Sequence, residues 1–253
     1  MRGFWLLFGK EMRELIRTAR LPVVLVVFAL LGLVSPVLAR YMREILEAVG
    51  GSQFQGLIPD PVVDDAVIQF TKNLGQFGVL IAVLLTMGSV AGEKERGTAA
   101  FLLTKPLDRG AFLGAKVAAI GLLLGMATAL AGAACWAYTA ILFEPLPVVG
   151  FAVSVALVWL SLAVFAAITF AASVVAPSAL VAGGVGIVAL LLAGFVSVAP
   201  DLAPYLPTGL WSISNELAIG GTPATMVGPI VANVAIIVIA CALSAWSFRR
   251  QEL

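Results

Sequence analysis

Five stretches of this chain carry no charged residue: 21 to 39, 73 to 92, 117 to 143, 145 to 200 and 217 to 248. A hydrocarbon core about 30 Å thick needs about 20 helical residues at 1.5 Å each, so these gaps are membrane-sized. They predict spans at 21–39, 74–91 and 111–143. The run from Pro145 to Pro200 would be about 80 Å long as one helix, and Ala176-Pro177-Ser178 offers a turn near its middle. It divides into spans at 150–175 and 178–199. After the breaker cluster Gly220-Gly221-Thr222-Pro223, a sixth span at 226–248 stops before Arg249-Arg250. The predicted fold class is an all-α integral membrane protein, one domain over 1–253 with six transmembrane helices.

The first 20 residues have a different pattern. At 100° per residue, Phe4, Trp5, Phe8, Met12, Leu15, Ile16 and Ala19 fall within one arc, and Lys10, Arg13, Arg17 and Arg20 lie opposite. Such a helix lies along a membrane surface, its aromatic face at the acyl boundary and its cations at anionic headgroups. Residues 1–20 therefore read as an amphipathic elbow leading into the first span. Because Lys10, Arg13 and Arg17 interrupt the apolar positions, the segment is not a signal peptide and is expected to stay in the mature protein.

An even number of spans puts both termini on one side, and Lys and Arg decide which. With the termini inside, twelve cations are internal: Arg2, Lys10, Arg13, Arg17, Arg20, Lys94, Arg96, Lys105, Arg109, Lys116, Arg249 and Arg250. Only Arg40, Arg43 and Lys72 are external, which predicts cytosolic termini in a cytoplasmic (inner) membrane. On the outer side, Tyr41 to Val49 extends the first span helically, and Gly50-Gly51-Ser52 breaks it. Asp60-Pro61 offers an N-cap and first-turn proline for a helix running into Lys72. Before the sixth span, Pro200, Pro204, Pro207, Gly209 and Trp211 suggest short broken helices dipping into the outer leaflet, or else an ordinary Pro-rich loop.

Composition agrees: 61% of the 253 residues are hydrophobic and 11% charged, against about 25% charged in soluble domains. The net charge of +1, with basic and acidic residues alternating along the chain, excludes nucleic acid as a partner and leaves lipid. Cys135 and Cys241 lie in apolar runs and read as small buried hydrophobes. With no His in the chain, zinc-protease sites, Ser/His and Cys/His nucleophile pairs and His-based metal transport are excluded. No carboxylate falls inside a predicted span, so no catalytic or metal site is expected. Lys116, about one and a half turns into span three, is expected to snorkel to the inner surface. A chain without midplane charge is poorly equipped to harvest an ion gradient. Nor does it carry a phosphate-binding G-x-x-x-x-G-K-[ST]. Its energy source must lie elsewhere. Gly121-x-x-x-Gly125 and Gly183, Gly184 and Gly186 suit close helix packing.

The inner loop 93–109 is charged at both ends and apolar in its middle. Thr98 can N-cap a short helix through Leu103, Pro106 stops it, and Asp108 can cap span three. A tight cytosolic turn is the alternative. Glu93-x-Glu95-x-Gly97-Thr98, then Leu102-Leu103, Pro106 and Arg109, resemble the inner-loop signature of the ABC-2 type permeases, the membrane subunits of ATP-binding-cassette exporters. The elbow, six spans and Pro/Gly-rich outer segment extend that resemblance along the whole chain. It implies a coupling helix from Thr98 to Leu103, including Phe101, seated in a groove of a separate ATPase, with Glu93, Glu95 and Arg96 near the contact. It further implies two ATPase copies, a second permease copy or close paralogue, and alternating access. ATP and Mg²⁺ would be bound by the partner, with no cofactor on this chain, which would be a minimal half-permease. Thr86, Ser89, Thr128, Thr139, Ser154, Ser161, Thr169 and Asn233 are the polar groups that could line a pathway for an apolar or amphipathic cargo. A secondary carrier or channel and a non-transporting scaffold are the alternatives.

Overall fold

The computed structural model describes residues 2–50, 60–95, 97 and 109–250, with the side chains of 2, 49, 50 and 109 also outside that set. The described residues are mostly helical, joined by short turns and loops, with no strand among them. In chain order they form α1 (Arg2–Arg17), α2 (Arg20–Gly50), α3 (Val63–Asn73), a π turn (Leu74–Gly78), α4 (Val79–Met87), α5 (Ala91–Glu95), α6 (Arg109–Leu142), α7 (Val148–Val175), α8 (Ala179–Val196), a 3₁₀ turn (Ala203–Tyr205), α9 (Gly209–Ala218) and α10 (Val227–Arg250). Six segments are long and apolar enough to cross a membrane: Arg20–Ala48, Val63–Glu95, Gly110–Leu142, Val148–Val175, Ala179–Val196 and Val227–Arg250. Both chain ends lie on one face, called here the terminal face. There Phe112 at the start of α6 stacks on Phe248 at the end of α10, with ring centroids 5.9 Å apart.

The second span departs most from expectation. The outer helix predicted to end at Lys72 continues through the π turn into α4, so the span begins at Val63 rather than at residue 74. Its start is capped otherwise too. The Val62 N–H donates to Asp65 Oδ2 at 3.0 Å, whereas Asp60 pairs with Arg43 at 2.5 Å. A helix of 33 residues is about 50 Å long and overshoots the hydrocarbon core, and the π turn and a break at Gly88–Val90 divide it into shorter rods.

Close approach of backbones fixes the bundle. A Cβ at Gly32 would strike the Ala131 carbonyl, so α2 meets α6 there. A Cβ at Gly186 would lie 2.9 Å from Val83 and collide with Thr169, which locks α8 against α4 and α7. Gly183 meets Met87 similarly, and Gly125 faces Trp159. Gly121 and Gly184, expected to share this role, have no neighbour at the position of a Cβ. Gly121 contributes its carbonyl instead, accepting the Trp159 indole N–H at 3.1 Å.

The segment before the last span is a broken helix. In α9, Trp211 Nε1 donates to Ser161 Oγ at 3.0 Å and Ser214 Oγ to the Ser154 carbonyl at 3.1 Å, while Leu217 reaches Gly150. Those partners run along α7 from Ser161 back toward Val148, about 20 Å of helix by its rise, so α9 descends beside the distal half of the fourth span. Asn233 Nδ2 ties the 3₁₀ turn to α10 through the Tyr205 carbonyl at 3.2 Å.

Candidate coupling site at the elbow

The elbow helix turns into the first span at Ala19, which holds φ at 57°. The Thr18 and Ala19 amides bond the Glu14 and Ile16 carbonyls, the pattern with which a helix ends in a left-handed residue. Phe4, Trp5 and Phe8 form an aromatic cluster with ring centroids 5.4 to 6.2 Å apart. The Phe4 ring also lies against Gly114 of α6.

Part of the arc expected to meet lipid packs against the bundle instead, Phe4, Phe8 and Met12 lying against its core. Leu7 and Leu15 are buried and Glu11 nearly so, whereas Trp5 and Ile16 face outward, 67% and 58% exposed. A side-chain wheel cannot separate lipid from protein, because lipid tails are as apolar as leucine. Arg13 and Arg17 are exposed as expected on the polar side, but Lys10 turns into a charged cluster.

Lys116 is the centre of that cluster. Far from snorkelling, it is 4% exposed. Its ammonium lies 2.8 Å from Glu93 Oε1 on α5 and 3.1 Å from both Glu11 oxygens on α1, and 5.1 Å from the centroid of the Phe112 ring. Lys10 approaches Glu11, Glu14 and Glu93 at 3.1, 3.6 and 3.7 Å. Burial alone would lower the Lys10 pKa, but the three carboxylates outweigh it and hold it above its ordinary 10.5, so Lys10 keeps its charge at neutral pH. Charges removed from water are costly unless paired, and here each carboxylate meets an ammonium. One side chain from span three thereby joins the elbow to the end of span two.

A second clasp holds the break in span two. Ser173 Oγ on α7 accepts the Val90 and Ala91 N–H groups at 3.1 and 3.0 Å and donates to the Met87 carbonyl at 2.8 Å. Lys94 Nζ donates to the Val174 carbonyl at the end of the same helix. Beyond these clasps, Glu95 and Gly97 are exposed on the terminal face, and Gly97 takes a φ of 68° that favours glycine.

Of the loop residues picked from sequence, then, Glu93 points into the fold while Glu95 and Gly97 lie on its surface. Arg96, Thr98, Phe101, Leu102, Leu103 and Pro106 lie outside the described residues, and Arg109 is described only as the first residue of α6. Glu11 and Ser173 were missed. Glu11 shares its face with Leu7 and Leu15, a 7–11–15 spacing that puts one charge on an otherwise apolar line. Lys116 alone in an apolar span is the matching signal. The hydroxyls read as pathway lining are mostly satisfied at home: Thr86, Thr128 and Thr169 donate to the carbonyls of Ala82, Leu124 and Phe165 in their own helices.

Six membrane-length apolar helices, with charge at their ends and one buried ion cluster, define a multi-pass membrane protein. The chain matches the family model of ABC-2 family transporter proteins over residues 5–253 and belongs to that family, whose members are permease subunits of ABC transporters. It is 25% identical over 258 residues to YxlG of Bacillus subtilis, a transmembrane protein described as uncharacterized, spanning all of this chain and 99% of that one. NosY of Pseudomonas aeruginosa, a probable ABC transporter permease protein, is 31% identical over 141 residues, covering 55% of this chain and 47% of NosY.

Proposed function

We propose that this chain is the membrane half of an ABC-2 type exporter, moving its cargo out across the cytoplasmic membrane by alternating access. Two permease copies sit over two copies of a separate ATPase, which binds ATP and Mg²⁺. The excess of Lys and Arg on the terminal face supports cytosolic termini and places that face against the ATPase.

The observation that carries the mechanism is the ammonium of Lys116, shared between Glu11 and Glu93. It makes the elbow, the end of span two and the start of span three one body. A push on the loop between spans two and three then rotates both spans together instead of flexing the loop alone. Glu95 and Gly97, exposed at the base of that body, would meet the ATPase; the coupling helix expected from Thr98 to Leu103 lies outside the described residues. Ser173 carries the same motion to span four. Distal to the junction, an apolar cavity of about 200 Å³ lined by Thr86, Gly121, Trp159 and Phe170 suits an apolar portion of the cargo.

The test is purification of the tagged chain from its native membrane with an assay of ATP hydrolysis. A stoichiometric ATPase whose cargo-stimulated turnover is lost in Glu95→Arg, with membrane insertion intact, supports the assignment. A buried lysine–carboxylate pair is also a device of proton-coupled carriers. Transport in liposomes without nucleotide, and without an ATPase in the preparation, would replace the exporter by that carrier.

A further inference from the structure

Gln76 lies in the charge-free part of the second span, beyond the Asn73–Ser35 pair, and its side chain faces out of the fold. Among the described residues its amide makes no side-chain hydrogen bond, unlike Gln69, Asn73, Asn215 and Asn233. Facing hydrocarbon, such an amide goes without the hydrogen bonds it makes in water, and a membrane helix keeps one outward only where something polar meets it.

Local structure turns this amide outward. It sits within the π turn at Leu74–Gly78, and the Trp211 ring presses on that turn from behind, 3.0 Å from where a Cβ of Gly75 would stand. Trp211 is itself held by Ser161. Single π turns widen a helix and re-aim its side chains, often at functional positions. Beside Gln76 the same face carries Phe77, Leu80 and Leu84, which are 50%, 39% and 61% exposed.

We propose that this face is the contact between two copies of the chain, with the two Gln76 amides paired across the two-fold axis. An amide carries donors and an acceptor on one group, so under two-fold symmetry it is its own complement. One polar group among three large apolar ones is the composition of a helix–helix contact in lipid, where an interhelical hydrogen bond adds to packing. A water-filled conduit would be more polar than Phe77, Leu80 and Leu84 allow. The inference rests on the two-copy assembly proposed above and names its surface.

The experiment uses the full chain in native membranes with Cys241 replaced by Ser, leaving the buried Cys135. Cysteines at positions whose Cα atoms come within about 4–7 Å across the axis oxidise to a disulfide-linked dimer. Gln76→Cys and Leu80→Cys are expected to crosslink, and Leu191→Cys on the outward side of α8 is not. In the native background, Gln76→Leu weakens self-association of two differently tagged copies by about three- to twentyfold, and Gln76→Asn weakens it less. A Gln76→Cys chain that inserts normally, stays monomeric on oxidation and reacts with a water-soluble maleimide would overturn the proposal and make the face a conduit wall. Crosslinking through Leu191→Cys alone would move the interface to span five. ATPase recovery from the same membranes separates the two claims. An ATPase bound to chains that do not crosslink at Gln76→Cys removes this surface and leaves the exporter, whereas crosslinking without an ATPase does the reverse.

Discussion

The two ends of the bundle are held by opposite chemistry. On the terminal face the elbow and spans two and three are joined by full charges, with Lys116 against Glu11 and Glu93 and Lys10 beside them. On the distal face, the exposed Arg43–Asp60 pair aside, spans one, two and four and α9 are joined by neutral groups: Asn73 to Ser35, Thr71 to Asn215 and Trp211 to Ser161. A buried ion pair cannot be parted without stranding charge, so it holds its elements together or fails as a whole. Neutral hydrogen bonds in a membrane can exchange partners at about 0.6 kcal/mol on average. On the exporter proposed above, energy would enter at the charged end and cargo leave at the other. The terminal end would then act as a stiff linkage and the distal end as a repackable gate.

The strongest way to break the comparison is to remove the shared ammonium. Lys116→Met leaves Glu11 and Glu93 with only the half-exposed Lys10 as their cation, a loss of up to about 3–5 kcal/mol. Thermal unfolding in detergent should show the loss, with faster hydrogen exchange over Arg2–Arg17 as the elbow detaches. Combining Lys116→Met with Glu11→Gln and Glu93→Gln strands no charge and should restore most of the stability. If the single variant is as stable as the parent, the linkage is not charge-held.

Removing the clasp of span four comes next. Ser173→Ala deprives the Val90 and Ala91 amides of their acceptor within the break of span two, costing about 1–3 kcal/mol. The expected signature is local: faster exchange at residues 88–95, little change elsewhere, and weaker cargo stimulation of the ATPase. On the distal face Asn73→Leu should cost less, about 0.6–1.7 kcal/mol, because Ser35 also donates to the Leu31 carbonyl and keeps that bond. Were Asn73→Leu as damaging as Lys116→Met, the two ends would not differ.

Much of this arrangement was legible from the chain alone, and the part that was not has a physical cause. Apolar runs and the Gly/Pro breakers placed the six spans, because the bilayer sets one length for all of them. That argument sees only hydrophobic length. It missed the continuity of Val63–Asn73 with span two, where Lys72 and Asn73 mark the outer boundary of the apolar run while the backbone goes on helically. It also assigned the whole apolar arc of α1 to lipid, although Leu15, Phe4, Phe8 and Met12 pack against the bundle beside Leu7, since lipid and protein reward apolar residues alike. The pairing of Lys116 with Glu11 joins residues distant in the chain, and only the packing of α1 against α6 brings them together.

The smallest effect tests how the stiff end is oriented. Ala19, at φ 57°, is the one non-glycine residue with positive φ among those described, and it sets the angle between the elbow and the first span. A left-handed conformation costs an ordinary L-residue about 1–2 kcal/mol, which glycine avoids, although glycine surrenders more backbone entropy on folding. Ala19→Gly should therefore stabilise the chain modestly, by about 0.5–1 kcal/mol, read as a small rise in melting temperature in detergent. Ala19→Val should lower it, because a β-branched side chain fits that backbone poorly. Neither substitution touches a charge, so both should leave the Lys116 linkage intact while altering the elbow angle. If Ala19→Val leaves stability unchanged but weakens coupling between ATP hydrolysis and cargo, the angle of the elbow matters to transport as much as its attachment. If coupling follows stability alone, the linkage works by holding the elbow at all, at whatever angle.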